Sequence, residues 1–209
     1  MADPTPIVFV VDDDVSVRES LEALIRCAGW QPETFASARE FLSRPRAAAP
    51  SCLVLDVGLP DLNGLDLQQR VAADRFDMPI IFLTGYGDVP MSVRAMKAGA
   101  VEFLTKPFVD DVLLGAIRNA IERSDAALGR EESLRALRAA HASLSPRERQ
   151  VMELVVSGLL NKQIGGELGI SEITVKAHRG RVMRKMGAES LASLVTMAAR
   201  LRVPAVPTG

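Results

Sequence analysis

The sequence has few cysteines, with only Cys27 and Cys52 among its 209 residues. The first lies on a predicted helix and the second opens a predicted strand, so we expect reduced, packed thiols. No apolar run approaches the roughly 18 residues that a membrane-spanning helix needs. The first six residues contain neither a basic nor an apolar segment, and we expect no secretory signal. These absences predict a cytoplasmic protein with no membrane partner.

Internal repeats are also missing, but charge is distributed unevenly along the chain. Residues 1–123 contain 18 acidic and 12 basic side chains, whereas residues 124–209 contain 8 acidic and 13 basic ones. An acidic half joined to a basic half predicts two domains, with nucleic acid as a partner of the second. The chain is long enough for each domain to have its own hydrophobic core.

Short apolar runs alternate with amphipathic segments through the first half of the sequence. Runs of this kind, closed by turn residues, are typical of strands buried on both faces. The runs are Ile7–Val11, Cys52–Asp56, Ile80–Leu83 and Val101–Thr105, with a weaker strand at 33–35. Helices are expected at 14–27, after Ser37, and at 65–75, 88–98 and 110–123. This alternation predicts an α/β domain with a doubly wound, five-stranded parallel sheet.

Polar side chains stand where four of these strands end, and the carboxyl ends of parallel strands meet at one edge of a sheet. The polar residues are Asp12, Asp13, Asp56, Thr84 and Lys106. Clustered carboxylates repel one another unless they are protonated or bind a cation. Oxygen ligands without Cys or His favour Mg²⁺. We therefore expect a magnesium site at this edge, and for Asp14 only a helix-capping role.

A magnesium ion among carboxylates suggests phosphate chemistry. Asp56 is then the carboxylate placed for in-line attack on phosphorus, which gives an aspartyl phosphate. Lys106 supplies a second cation for the phosphoryl group, and Thr84 supplies a hydroxyl donor. One alternative is a magnesium-dependent phosphatase or phosphotransferase, but no second acid follows Asp56 at short spacing and no substrate-binding cap is evident.

The last third of the sequence is entirely helical. Ser145 followed by Pro146 and Glu148 is a strong helix start, and further helices are expected at 161–168, 172–185 and 191–201. Segment 124–142 is charged and rich in alanine, and it does not keep one heptad phase. We predict domains at 1–123 and 143–209 joined by a helical linker at 124–142; whether this linker continues the preceding helix stays open.

A helix, the turn Gly169-Ile170-Ser171 and a basic second helix form a helix-turn-helix pattern. The core face of the second helix is predicted at Val175, Val182 and Met186. The opposite, outer face carries Ile173, Ala177, Gly180 and Arg184, and it is flanked by Thr174, Lys176 and Arg181. Of these residues, Lys176, Ala177 and Arg181 are the first candidates for reading bases. Better placed for phosphates are Lys162, His178, Arg179 and Lys185. From the pattern alone, a solvated basic helix in a four-helix bundle is the open alternative.

Three glycines fall inside these predicted helices, where each costs about 1 kcal/mol relative to alanine. We expect Gly165 to allow close packing against the second helix of the motif. Gly166 and Gly180 look like uncompensated penalties, so the domain should be marginally stable. Gly180 also removes a side chain from the outer face, and base reading should depend on the first half of the helix.

Four motifs in the first half resemble the receiver domain of two-component response regulators: VVDDD, LVLDVGLPDLNG, FLTGYGD and EFLTKPF. The resemblance implies a flavodoxin-like fold in which Asp56 accepts phosphate from a histidine kinase. It also implies that Mg²⁺ is held by Asp13, Asp56 and the carbonyl of Gly58, with Asp12 acting largely through water. The resemblance further assigns Thr84 and Phe103 as a switch pair and implies a cis Lys106-Pro107 peptide. Such a receiver catalyses only its own phosphorylation and dephosphorylation.

Relatives often carry a larger side chain at the position of Gly58, where the missing side chain could give water access to the phosphate. The side chain of Tyr86 could instead shield the phosphate from water. This leaves the effect on the lifetime of the phosphate open.

The stretch LSPRERQVMELVVSGLLNKQIGGELGISEITVKAHRGRVMRKMG resembles the LuxR-type DNA-binding domain. The whole chain is similar to response regulators of the FixJ-type branch of the NarL/LuxR family. This similarity implies a homodimer, formed on phosphorylation through residues 89–103, that binds promoter DNA; a contact with RNA polymerase stays open. The alternative is a constitutive regulator whose receiver serves only as a dimerisation scaffold.

Overall fold

The computed structural model describes residues 4–74, 78–85 and 89–203. The chain divides into two compact units, Met1–Gly129 and Arg130–Gly209. No helix within the described ranges is both long and apolar enough to cross a membrane. The first unit has alternating strands and helices, and the second contains only helices among its described residues.

The first unit is built on the predicted five-stranded parallel sheet. Its strands are β1 (Ile7–Val11), β2 (Gln31–Phe35), β3 (Ser51–Asp56), β4 (Ile80–Thr84) and β5 (Glu102–Thr105). They lie in the order β2-β1-β3-β4-β5, and every neighbouring pair is parallel. This order confirms the predicted doubly wound α/β fold and puts β1 and β3 next to each other at the centre.

Helices cover both faces of this sheet. They are α1 (Val15–Cys27), α2 (Ala38–Ser43), α3 (Gly64–Asp74), α4 (Val89–Lys97) and α5 (Asp110–Ala142). Successive strand residues point to opposite faces, so Phe9, Leu53 and Phe82 enter one core cluster. Val10, Val54 and Ile81 enter the other. The strand β3 is buried along its whole length, as its continuous apolar sequence predicts.

Helix α5 is much longer than the predicted helix at 110–123. It continues without a break through the segment 124–142 that we expected to be a linker. Gly129 does not interrupt the helix, because one glycine costs only about 1 kcal/mol in a run of strong helix formers. The division between the two units falls inside this helix, at Gly129 and Arg130. The predicted domain boundaries at 123 and 143 stay a proposal.

The second unit contains the four predicted helices, with ends that agree to within one residue. They are α6 (Pro146–Val156), α7 (Asn161–Leu168), α8 (Glu172–Met186) and α9 (Leu191–Leu201). The capping box predicted for α6 is present: the Glu148 amide donates to Ser145 Oγ and the Ser145 amide donates to the Glu148 carboxylate. Gly169 and Gly187 end α7 and α8 with positive φ angles of 64° and 66°.

Glu148 also joins α6 to α8. Its side chain is 5% exposed, and its carboxylate accepts a hydrogen bond from the Lys185 ammonium at 2.7 Å. The bond from Lys185 and the Ser145 amide lower the pKa of Glu148 from 4.5 to about 2. The ionised carboxylate therefore stabilises the folded unit above pH 4.5, and that contribution is lost as the pH falls from 4.5 towards 2.

We accordingly expect Glu148→Gln to flatten the acid-induced loss of stability of the second unit. Gln keeps an oxygen for the Ser145 amide but cannot become protonated in this range. The measurement is hydrogen exchange of the α6–α9 amides in the full chain between about pH 5 and about pH 2.5, the window in which the carboxylate takes up its proton. Glu153→Gln, a change elsewhere on the same helix, serves as control, and equal pH profiles for wild type and Glu148→Gln would contradict the assignment.

Candidate functional site

Three carboxylates meet where β1 and β3 end. Asp12 and Asp13 directly follow β1, and Asp56 is the last residue of β3. Carboxylate oxygens of all three residues lie within 4.8 Å of one another. Asp12 is 2% exposed and Asp56 is 9% exposed, whereas Asp13 faces solvent. The structure thus brings together the acidic residues that the sequence predicted at one edge of the sheet.

Lys106 neutralises part of this negative charge. Its Nζ lies 2.6 Å from Asp12 Oδ2 and 3.4 Å from Asp56 Oδ1. Burial disfavours the charged ammonium, but the hydrogen bond to Asp12 and the charges of Asp12 and Asp56 outweigh it and raise the pKa of Lys106. The peptide bond from Lys106 to Pro107 is cis, as the resemblance implies. Lys106 therefore stays positively charged beside Asp56.

The surroundings of Asp56 raise the pKa of its carboxyl group above the ordinary value. Burial and the negative charge of Asp12 raise its pKa, while Lys106 and a hydrogen bond from the Gly58 amide at 3.1 Å partly oppose the shift. Burial also removes water from around the carboxylate oxygens, so less solvation has to be lost when the ionised group attacks. Three clustered carboxylates and one ammonium leave the site with excess negative charge, which a divalent cation would neutralise.

Two residues that support the site have no counterpart among the residues predicted from the sequence. The Arg18 guanidinium on α1 donates to the Asp12 carbonyl at 2.7 Å. Asp61, in the loop after β3, accepts hydrogen bonds from the Ala38 amide at 3.2 Å and the Arg39 amide at 2.9 Å, at the start of α2. Asp61 thereby ties the loop that carries Gly58 to α2. Asp61 has no local sequence signal, because its partners lie 22 and 23 positions away along the chain. The contact of Arg18 spans only six positions, but it matches no standard capping pattern.

The structure also places Asp14, Thr84 and Phe103, for which the sequence predicted roles around the site. Asp14 caps α1, with its Oδ1 accepting from the Ser16 amide at 2.8 Å, as expected. Thr84 ends β4 with a buried side chain. The ring of Phe103 is half-buried, and its centroid lies 6.1 Å from the centroid of the Phe82 ring. The switch role of Thr84 and Phe103 stays a prediction, and Tyr86 and Asp88 lie outside the described residues.

Gly58 is exposed beside the carboxylate of Asp56. A Cβ atom at this position would lie 3.3 Å from Asp56 Oδ2. A long side chain would therefore extend over the carboxylate and hinder the approach of water to a phosphate bound there.

We expect Gly58→Arg to lengthen the lifetime of phosphorylated Asp56 by a factor on the order of ten, equivalent to a change of about 1.4 kcal/mol in the barrier to hydrolysis. The measurement is the decay of phosphoprotein after the phosphodonor is removed. Gly58→Ala adds only the Cβ atom and serves as control. A lifetime that is unchanged or shortened in Gly58→Arg would contradict the shielding by this side chain.

In the second unit, α7 and α8 form the predicted helix-turn-helix. Val175, Val182 and Met186 are buried, which confirms the predicted core face of α8. Exposed side chains on the rest of α7 and α8 include Lys162, Lys176, Ala177, Arg181 and Arg184. This leaves a basic surface opposite the core.

Four of the predicted DNA-binding residues form bonds within the unit. The Thr174 hydroxyl lies 2.8 Å from Ser171 Oγ in a hydrogen bond at the start of α8. Arg179 donates to Asn161 Oδ1 at 2.6 Å, and the Lys185 ammonium donates to Glu148. Lys176 lies 3.3 Å from Glu172 in an exposed pair on the same helix. Exposed pairs are weak, so this pair does not prevent the Lys176 ammonium from binding another partner. Arg179 and Lys185 have structural partners in addition to any role at phosphates.

Comparison with known proteins assigns both units. Residues 8–118 match the family described as response regulator receiver domain. Residues 142–198 match the family described as bacterial regulatory proteins, luxR family. The two matches together span most of the chain and agree with its division into two units.

Relatives that match both parts support the same assignment. Nodulation protein W of Bradyrhizobium diazoefficiens is 51% identical over 95% of this chain and 88% of its own length. The transcriptional regulatory protein FixJ of the same organism is 45% identical over 92% of this chain and 94% of its own length. The solved structure of the response regulator StyR is 47% identical, covers 94% of this chain and all of its own, and has a TM-score of 0.85.

Proposed function

This chain belongs to the response regulators that join a receiver domain to a LuxR-type DNA-binding domain, and we propose that phosphorylation of Asp56 controls its binding to promoter DNA. The observation that carries the proposal is the cluster of Asp12, Asp13 and Asp56 with Lys106 bridging two of its members. A kinase phosphohistidine is the physiological donor that the family assignment implies.

In the proposed reaction, a carboxylate oxygen of Asp56 attacks the phosphorus of the donor. A new phosphorus–oxygen bond forms, and the bond between phosphorus and the leaving group breaks. The positively charged Lys106 ammonium stabilises the negative charge of the phosphoryl oxygens, and the Thr84 hydroxyl donates a hydrogen bond to one of them. The Gly58 amide and Lys106 both bond to Asp56, and they orient its carboxylate before the donor arrives.

The same residues fit a magnesium ion. Asp13 and Asp56 with the Gly58 carbonyl would hold it directly, and Asp12 would act largely through water. Once bound, Mg²⁺ supplies positive charge that draws the phosphate to the carboxylates and offsets their repulsion. The donor set contains only oxygen atoms, which is the set that Mg²⁺ prefers over softer metals.

We propose that phosphate then shifts a two-state equilibrium of the receiver. The Thr84 hydroxyl moves towards the phosphate, and the Phe103 ring moves into the space that Thr84 leaves. This change reaches the surface formed by residues 89–103, where Val89, Val93 and Met96 are exposed. Apolar side chains grouped on α4 support a homodimer formed through this surface.

A dimer would hold two copies of α8 one DNA turn apart on a pseudo-palindromic site. In our proposal, α8 enters the major groove and exposed basic residues bind phosphates. The proposed contact residues are Lys162, Thr174, Lys176, Ala177, His178, Arg179, Arg181, Arg184 and Lys185. The proposed partners are therefore promoter DNA and a histidine kinase, and RNA polymerase is a further candidate. The proposed place of action is the cytoplasm. The receiver acts on its own aspartate and turns over no other substrate.

The test is phosphorylation of the full chain by acetyl phosphate, followed by selection of binding sites from random duplex DNA. We expect one phosphate per chain, dependence on Mg²⁺, and enrichment of a two-fold symmetric sequence by the phosphorylated protein. Labelling that persists in excess EDTA would contradict the magnesium site. Equal enrichment with and without the donor would favour the constitutive regulator, and turnover of small phosphate esters would favour a phosphatase.

A further inference from the structure

The most exposed large apolar side chain described in the second unit lies at the start of α8. Ile173 is 79% exposed. It is the second residue of the helix, and it lies on the side opposite the buried Val175 and Val182. A single exposed apolar residue is ordinary on a protein surface. What sets Ile173 apart is therefore its position on the helix, and not its exposure alone.

Ile173 has no structural task that would account for an apolar residue there. At 79% exposure it buries little of its surface against its own unit. The helix is capped by Ser171, whose Oγ accepts from the Thr174 amide at 3.1 Å. A β-branched residue is also a weaker helix former than Ala, Glu or Lys. A polar residue at this position would cost the folded unit nothing.

The exposed Lys176 and Arg181 flank the outer face of α8, but its centre offers few other apolar side chains for reading bases. Ala177 lies one turn after Ile173 and carries only a methyl group, and Gly180 carries no side chain. Arg184 is eleven residues from Ile173, roughly 16 Å along the helix at 1.5 Å per residue. The residues that contact base edges in helix-turn-helix proteins lie in the first part of this helix. Ile173 is therefore the largest apolar group on that part of the outer face.

We propose that Ile173 contacts the 5-methyl group of a thymine in the major groove and thereby selects a thymine in each half-site. This inference rests on the proposed DNA-binding function. The methyl group is the one apolar feature of base edges in the major groove, and apolar side chains read it by contact. The neighbouring methyl group of Ala177 extends the same apolar strip by one turn.

The test replaces thymine by deoxyuridine, which lacks only the 5-methyl group. The full chain, treated with acetyl phosphate, is titrated with a selected duplex and with duplexes that carry deoxyuridine at one symmetric pair of positions at a time. At one pair of positions, we expect the substitution to lower the affinity of the wild type. The expected factor is about four for each thymine methyl group that Ile173 covers, because about 0.8 kcal/mol is lost when one buried methyl-sized group is removed. In Ile173→Ala the same substitution should have no effect, while Ile173→Val should restore part of the sensitivity.

The variant Lys162→Ala provides a comparison, because removing a phosphate-binding side chain should lower affinity equally on all duplexes. A deoxyuridine effect that persists in Ile173→Ala would overturn the inference, as would a selected site in which no thymine methyl matters. If the wild type selects no DNA sequence at all, the proposed function itself fails, and the inference fails with it. The melting temperature of Ile173→Ala should be equal to that of wild type or slightly higher, because alanine is the better helix former and Ile173 buries little surface.

Discussion

Replacing Asp56 with Asn is expected to abolish labelling by acetyl phosphate. It should also leave the affinity for the operator, which is the DNA site selected by the phosphorylated protein, at the level of unphosphorylated protein. An amide oxygen is too weak a nucleophile to attack phosphorus, and the substitution also removes one charge from the proposed magnesium site. Coupling between two sites in one protein is typically worth about 5- to 150-fold in affinity. We therefore expect the phosphodonor to raise the operator affinity of the wild type by a factor in that range and that of Asp56→Asn not at all.

The fold should not suffer from this change. The Asn side-chain oxygen can still accept the hydrogen bond from the Gly58 amide, and Lys106 keeps its closer partner Asp12. Burial raises the pKa of Asp56, so its ionised form costs the folded state free energy above that pKa. Removing this charge should leave the melting temperature of the receiver at neutral pH equal to or above that of wild type.

Asp14→Asn provides the matched control for Asp56→Asn. Asp14 stands two residues from Asp12 but caps α1, and Asn is an equally good capping residue. This variant should be labelled like wild type. Equal operator affinity of wild type and Asp56→Asn after treatment with the donor would contradict the proposed control by phosphate, and labelling of Asp56→Asn would place the phosphate elsewhere.

Replacing Gly165 with Ala should destabilise the DNA-binding domain, whereas the same change at Gly166 should stabilise it. A Cβ atom at Gly165 would lie 2.8 Å from the carbonyl oxygen of Ile170, a backbone atom in the turn before α8. The Ile170 amide also donates to the Gly165 carbonyl at 3.0 Å, so the turn cannot move away without straining this bond. Overpacking of this kind typically costs about 1–3 kcal/mol, which exceeds the gain in helix propensity.

At Gly166 a Cβ atom meets nothing within 4 Å. The gain from Gly to Ala, about 1 kcal/mol, is then not offset, and corresponds to a rise of roughly 4–8 °C in a domain of this size. The two variants differ by one position in the same helix, so each is the control for the other. Thermal unfolding and hydrogen exchange of the α6–α9 amides in the full chain measure both.

Gly165→Ala should also weaken operator binding, because the Ile170 turn sets the start of α8. Gly166→Ala should bind operator like wild type. The prediction that this domain is marginally stable depends on the melting temperature of Gly166→Ala, and a value no higher than that of wild type would contradict it. If both variants are equally stable, the close approach at Gly165 does not determine stability.

The sequence alone determined most of the secondary structure, apart from the length of α5, together with the parallel sheet and the clustering of Asp12, Asp13 and Asp56. These features depend on short-range patterns, because apolar periodicity, caps and turn residues act over a few positions along the chain. The convergence of Asp12, Asp56 and Lys106 also follows from the strands, since parallel strands end at one edge. For the same reason, the core face of α8 could be predicted from helical periodicity alone.

Only the tertiary structure decided which side chains support these features. Asp61 binds the start of α2 from 22 and 23 positions away, and Lys185 binds Glu148 across 37 positions. The contact that makes Gly165 necessary depends on how closely the Ile170 turn passes α7. Such contacts are set by the packing of whole elements to within an ångström. No local sequence pattern carries that information, because the same residues at another packing distance would be ordinary surface charges and ordinary glycines.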